Sequence, residues 1–138
     1  MLFRSDTSAV LIAQIIIVNA ILKELIRGER PSDACTRSYG MPSGHSSTMS
    51  CVFFWAFLLC ISKKPDFNWK HVIFFGVLLP FIAVSRVYLH YHTIEQSVAG
   101  LLFGAVFAIG AYLLLFWMMK PSRDRLAMIE LPDEMNSP

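Results

Sequence analysis

The chain has 138 residues, of which 55% are hydrophobic and only 16% charged, with a net charge of +2 and a mean hydropathy of +0.53. That balance is too apolar for an ordinary soluble domain, and too nearly neutral, with its basic residues scattered, for a surface that binds nucleic acid. It predicts an all-α, polytopic transmembrane helical bundle. Four apolar stretches, about Ser8–Ile26, Ser46–Ser62, His71–Val87 and Ile94–Met119, approach or exceed the ~17–25 residues that cross a bilayer as helix. Strands of a membrane barrel would alternate in polarity, whereas Val10–Val18 and Leu101–Trp117 are nearly continuous apolar runs. Residues 1–120 are expected to form a single membrane-embedded domain and 121–138 a flexible polar C-terminal tail.

Ahead of the first stretch only Arg4 stands in for a basic n-region, Asp6 follows it, and no small-residue cleavage site closes the apolar run. The span is therefore expected to stay in place as a signal anchor. Lys23 stands at its end and Arg30 seven residues later, with Gly28 expected to end the helix and Pro31 to fix an extended exit. Taken alone, a Lys and an Arg at a membrane end read as snorkelling side chains.

Pro42-Ser43-Gly44-His45 immediately precedes the second stretch. Ser43 is placed to act as N-cap while the N–H groups of the first turn point at an anion, and Gly44 would allow close approach of backbone to phosphate. The plainer alternative is a cap with an interfacial histidine. Cys51 and Cys60 fall within this span and Cys35 in the loop before it, a pattern that matches neither a disulfide framework nor a zinc site.

Pro80 interrupts the third stretch, a kink that a helix bundle tolerates. Ser85-Arg86 ends it. The Arg86 guanidinium can fork two parallel hydrogen bonds to phosphate oxygens, as a lysine cannot. His92, just before the fourth stretch, can attack phosphorus through an unprotonated ring nitrogen near neutral pH, while His90 is read as an interfacial residue aimed elsewhere. In the fourth stretch Gly100-x3-Gly104 allows close helix packing, either within one monomer or between protomers of a homo-oligomer.

Four spans place the N-terminus, the Lys63–Lys70 loop and the tail on one side, with Arg4, Lys63, Lys64, Lys70, Lys120, Arg123 and Arg125. Lys23, Arg27, Arg30, Arg37 and Arg86 fall on the other. Because Lys23, Arg30 and Arg86 are committed to the candidate site, the remaining basic charge favours the first side as cytoplasmic. The same count brings Lys23, Arg30, Ser43, His45, Arg86 and His92 to one membrane face. Together they supply what is needed to bind a phosphoryl group, attack it and protonate the leaving oxygen.

Lys23-x6-Arg30-Pro31, Pro42-Ser43-Gly44-His45 and Ser85-Arg86-x5-His92 resemble, in order and internal spacing, the motifs K-x6-RP, PSGH and SR-x5-H-x3-D of the type 2 phosphatidic acid phosphatase superfamily. The resemblance runs from Lys23 to about Gly100. Tyr39-Gly40-Met41-Pro42-Ser43, Ser85-Arg86-Val87-Tyr88-Leu89 and Tyr91-His92-Thr93 look most like its dolichyl diphosphatase branch. The resemblance implies that Lys23, Arg30 and Arg86 bind phosphate, Ser43 and Gly44 hydrogen-bond it, His92 is the nucleophile and His45 protonates the leaving group. It implies that 1–120 is a lipid phosphatase domain without metal or other cofactor. Its substrate would be a lipid-linked phosphate held beside membrane lipid, first of all dolichyl diphosphate, cleaved to dolichyl phosphate at the lumenal face of the endoplasmic reticulum to recycle the lipid carrier of N-glycosylation. The alternatives are a broad phosphatidic acid or lipid phosphate phosphatase, and a non-catalytic membrane protein that binds lipid phosphate.

Two departures stand out. Most of the superfamily has Asp one helical turn after the nucleophilic histidine, and here Gln96 takes that place. An amide carbonyl can orient the imidazole but cannot offset a developing imidazolium charge. Three readings stay open: Gln96 orients His92 weakly, Glu95 supplies the charge, or Thr93-x-x-Gln96 is a capping box. The second departure is that the span bearing the first motif begins almost at Met1, where superfamily members commonly carry earlier helices. The chain would then be either a minimal core or an incomplete copy of that bundle.

Overall fold

A computed structural model describes residues 2–32, 34, 38–62 and 68–129. Among them the order is α1 (Leu2–Ile16), a π-helical segment (Ile17–Leu22), α2 (Lys23–Ile26), α3 (Gly44–Ile61), α4 (Trp69–Tyr88) and α5 (Ile94–Ile129). The first three run on as one span, so four segments are long and apolar enough to cross a membrane: Thr7–Ile26, Gly44–Ile61, Trp69–Tyr88 and Ile94–Met118. The chain is an all-α integral membrane protein, and each span lies within a few residues of its expected bounds.

Local chemistry sets the helix ends. Asn68 opens α4 by accepting from the Lys70 N–H at 3.0 Å, while the His71 side chain accepts the Asn68 N–H at 3.3 Å. Pro80 is accommodated inside α4 without ending it. The first span stops one residue earlier than expected, because Arg27 rather than Gly28 takes the left-handed position, with φ 48°. Its Nε returns to the Glu24 carbonyl at 3.0 Å. Gly28 is needed for space instead, since a Cβ there would lie 2.6 Å from the Met41 Cβ.

The core sits between α3 and α5. Val10, Cys51, Trp55, Leu59 and Ala108 form its buried cluster, and Trp55 donates to the Thr7 hydroxyl at 3.2 Å. Gly100 and Gly104 are used inside the monomer. A Cβ on Gly100 would meet the Ser43 carbonyl at 2.6 Å, and one on Gly104 would collide with the Ser47 carbonyl and come within 2.9 Å of the Cys51 amide nitrogen. Small residues thus let two backbones touch, and hydroxyls seal the seam: Ser50 donates to the Leu101 carbonyl at 2.6 Å, and Ser46 pairs with Ser97 at 3.1 Å. Lipid is the natural solvent of the exposed Ile73, Phe81, Leu102 and Val106.

One expectation needs correction. The tail was expected to be flexible from residue 121, yet α5 continues unbroken through Pro121 to Ile129. Propagation from a formed helix needs no new nucleus, and Arg, Leu, Ala and Met favour it, which outweighs the one hydrogen bond Pro121 forfeits. The rest of that segment, 130–138, lies outside the described residues, as do Cys35 and Arg37.

Candidate active site

Polar residues from all four spans and the adjoining loops converge at one end of the bundle. The first span delivers Asn19 and Lys23. Its π turn closes with the Lys23 N–H bonding the Val18 carbonyl five residues back, a widened register that re-aims the side chains after it. The Asn19 amide donates to the Ile15 carbonyl at 3.0 Å. Its Oδ1 would lie 3.0 Å from a Cβ on Gly44, so Gly44 is what lets the first span come this close to the start of α3.

Arg30, in the loop after α2, is braced rather than loose. Its Nε donates to the Ser38 carbonyl at 2.7 Å, Nη2 to the Ser38 hydroxyl at 3.1 Å and Nη1 to the Tyr91 carbonyl at 2.9 Å. A guanidinium carries five N–H donors, so it can brace two loops and still face an anion.

The Pro-Ser-Gly-His turn differs in detail from expectation. Ser43 provides no side-chain cap for α3. Its hydroxyl is fully buried and accepts from Ser46 at 3.1 Å, and its N–H donates to the Gln96 carbonyl at 3.0 Å. The hydroxyl has been drawn into the α3–α5 seam, where Gly100 passes close to it and Ser46 links it to Ser97. Gly44 and the exposed His45 face the site instead.

α4 ends in a left-handed turn at His90, φ 57°, with the Tyr91 and His92 N–H groups both reaching back to the Arg86 carbonyl at 3.1 Å. That reversal turns His92 inward and leaves His90 exposed. Arg86 lies over the Tyr91 ring at 5.6 Å, and its buried Nε has no hydrogen-bond partner among the described residues.

His92 is buried, with Nδ1 3.2 Å from Gln96 Oε1. Of the three readings of this corner, the geometry combines two. Gln96 contacts His92, and it forms a reciprocal capping box in which Thr93 Oγ1 accepts the Gln96 N–H at 3.2 Å and Gln96 Oε1 accepts the Thr93 N–H at 3.3 Å. Glu95 points out to the exposed face. Burial holds the His92 pKa below the ordinary imidazole value, helped by the charges of Arg30 and Lys23 and opposed by hydrogen bonds with Gln96 and the Gly40 backbone.

These groups surround a cavity of about 490 Å³. Lys23, Arg30, Gly44, His45, Arg86 and His92 all line it; Ser43, Glu95 and Gln96 do not. Asn19, Ser38, Thr48 and Tyr91 join the wall, and Ile15, Met49 and Ile82 form its apolar part. Sequence reasoning missed Asn19 and Ser38. Asn19 carried a usable signal, a polar residue in an apolar run one turn before Lys23. Ser38 carried none, since only folding of the loop brings it to Arg30.

The PAP2 superfamily model matches residues 7–120. The chain belongs to that superfamily. Human dolichyldiphosphatase 1 is 32% identical over 124 residues, which cover 80% of this chain and 52% of the human protein. The dolichyldiphosphatase of Saccharomyces cerevisiae is 35% identical over 102 residues, 65% of this chain and 43% of the yeast protein. Among solved structures, a PAP2-type phosphatidylglycerolphosphate phosphatase from Bacillus subtilis superposes with a TM-score of 0.63 at 26% identity, covering 80% of this chain and 58% of that one. This PAP2 chain spans about half the length of the curated relatives it matches.

Proposed function

We propose that this PAP2-superfamily chain hydrolyses a lipid-linked phosphate through a phosphohistidine, with dolichyl diphosphate, cleaved to dolichyl phosphate, as its foremost substrate. The observation that carries the reading is the convergence of three cations and two imidazoles, from the first three spans and from the loops after the first span and before the fourth, on one cavity. Lys23, Arg30, Arg86 and the Gly44 turn hold the phosphoryl oxygens, and no metal is required for that charge balance. His92 Nε2, the nitrogen turned away from Gln96, attacks the terminal phosphorus. The bond to the bridging oxygen breaks, and His45 gives that oxygen its proton. Water, losing a proton to His45, then attacks phosphohistidine, releasing phosphate and restoring both rings. The relatives named dolichyldiphosphatase support the substrate assignment.

The lipid tail has a place to go. Ile15, Met49 and Ile82 form the apolar part of the cavity wall, and among the described residues no Cα of the first span comes within 8 Å of one in α4, a separation in which an isoprenoid could lie. The reading places the site on the lumenal face of the endoplasmic reticulum, where it would return the glycan carrier of N-glycosylation. A broader lipid phosphatase remains the second reading, favoured by the likeness to the Bacillus phosphatase.

The test is phosphate release from dolichyl diphosphate and from phosphatidic acid by purified protein, with His92→Ala as control. The expected result is preference for the diphosphate, inhibition by vanadate, and a loss of ~10³-fold or more in His92→Ala. Equal activity in wild type and His92→Ala would overturn the mechanism, and preference for phosphatidic acid would overturn the substrate. No activity in either would leave a protein that only binds lipid phosphate.

A further inference from the structure

We infer that Gln96 is a positioning residue whose amide, using its donor and its acceptor at once, couples the tautomer of His92 to the loop carrying Arg30, so that neither a carboxylate nor an apolar side chain can replace it. The inference rests on the reading of His92 as nucleophile. Gln96 Nε2 donates to the Glu29 carbonyl at 2.6 Å, and a carbonyl can only accept. Oε1 accepts the Thr93 N–H at 3.3 Å, and an N–H can only donate. Both ends of the amide are therefore assigned by partners outside the histidine. The oxygen faces His92 Nδ1 at 3.2 Å and calls for the ring proton there, which in the neutral ring leaves the lone pair on Nε2; the Gly40 backbone is the ring's second hydrogen-bond partner.

The same residue reaches all three motifs. Its main-chain carbonyl accepts the Ser43 N–H, and its amide nitrogen holds the residue next to Arg30. Gly40 lies flat against it: a Cβ there would be 2.7 Å from Oε1, 2.8 Å from Nε2 and 2.9 Å from the Arg30 Cγ. An aspartate or glutamate at this position could still orient the ring, but it would set a second acceptor against the Glu29 carbonyl and release the loop. The departure from the superfamily pattern thus becomes a requirement of this chain. Among the described residues, the charged or titratable groups that line the cavity with His92 are Lys23 from α2, Arg30 from its loop, His45 from α3, Arg86 from α4 and the neighbouring Tyr91. Glu95 on α5 is exposed, and Glu29 takes part here through its carbonyl.

The coupling is tested by nitrogen-15 NMR of histidine-labelled protein in nanodiscs, together with pH profiles of dolichyl diphosphate hydrolysis. In the wild type, His92 should be protonated at Nδ1 and bare at Nε2 near neutral pH. Gln96→Glu should move the acidic limb up by ~1–2 units, since a carboxylate favours imidazolium, and lower the plateau by about tenfold or more. Gln96→Met should move the limb down and raise KM. Gly40→Ala, which leaves Gln96 in place but displaces its amide, should do the same and broaden the wild-type tautomer signal. An Nε2-protonated ring, an unmoved limb in these variants, or a Gln96→Glu enzyme as fast as wild type would each overturn the inference. If the wild type releases no phosphate, the hydrolase reading fails by itself. The tautomer and its response to Gly40→Ala then still decide the coupling, and they do so equally if the Gln96 variants do not fold.

Discussion

Between α3 and α5, backbone meets backbone across Gly100 and Gly104, and short hydroxyl contacts fill what the missing side chains leave. The first span meets the same frame mainly through side chains. The fully buried Gln14 donates to the Ser47 hydroxyl at 2.8 Å and accepts from Thr48 at 3.1 Å, and at the loop end Arg30 and Gln96 tie the chain back to Ser38, Tyr91 and Glu29. Function divides along the same line. His45 and His92, proposed to break and make bonds at phosphorus, stand at the ends of the frame, whereas Lys23 and Arg30, proposed to hold the phosphate, stand on the arm. A reacting group must be held to fractions of an ångström, while a long cationic side chain can adjust to its anion.

The largest effect should come from the frame. Gly104→Val adds branched carbon where even a Cβ collides with the Ser47 carbonyl, and neither backbone can move without dragging His45 or His92. The expected outcome is protein that does not accumulate folded, or one destabilised beyond the ~1–3 kcal/mol of ordinary overpacking, as read by thermal unfolding in detergent. Normal stability and activity in Gly104→Val would erase the distinction between frame and arm.

A smaller effect is expected on the arm. Gln14→Leu removes the intramembrane amide that joins the first span to α3, leaving the Ser47 and Thr48 hydroxyls to find other partners. Hydrogen bonds between membrane helices are worth ~0.6 kcal/mol on average and up to about 1.7. The variant should therefore fold, with a raised KM and a kcat close to wild type, because the cations move while the imidazoles do not. A fall in kcat at constant KM would show that the arm positions the reactive groups as well.

The frame was largely legible in the sequence and the arm was not. Span number and limits follow from hydropathy, and Gly100-x3-Gly104 announced a close contact, though only coordinates could say that it lies within one monomer. Spacing and span counting put the motif residues on one membrane face, and Lys23, Arg30, Gly44, His45, Arg86 and His92 line one cavity. What escaped notice depends on long-range geometry. The diversion of the Ser43 hydroxyl into the seam follows from its neighbours across α5. The bracing of Arg30 by Ser38 and Tyr91 joins residues 8 and 61 positions apart. The Gln96 contacts with His92 and Thr93 were among the readings that residue type offered, but its tie to the carbonyl of Glu29 left no mark there.

The smallest predicted effect crosses from arm to frame through charge. Arg30 and Lys23 help to depress the His92 pKa beyond what burial does alone. A cation nearby penalises imidazolium, so removing one must raise the pKa toward the ordinary value of 6.5. Arg30→Gln should accordingly shift the His92 titration, followed by NMR, upward. The consequence for rate has a definite sign. A raised pKa leaves less unprotonated His92 at any given acidic pH, so the acidic limb of the variant moves to higher pH. Well above 7, where His92 is neutral in both proteins, only weakened phosphate binding should remain. A limb that stays in place while KM rises would confine Arg30 to holding the phosphate. A downward shift would mean that the loop ties of Arg30 govern the burial of His92 more strongly than its charge does.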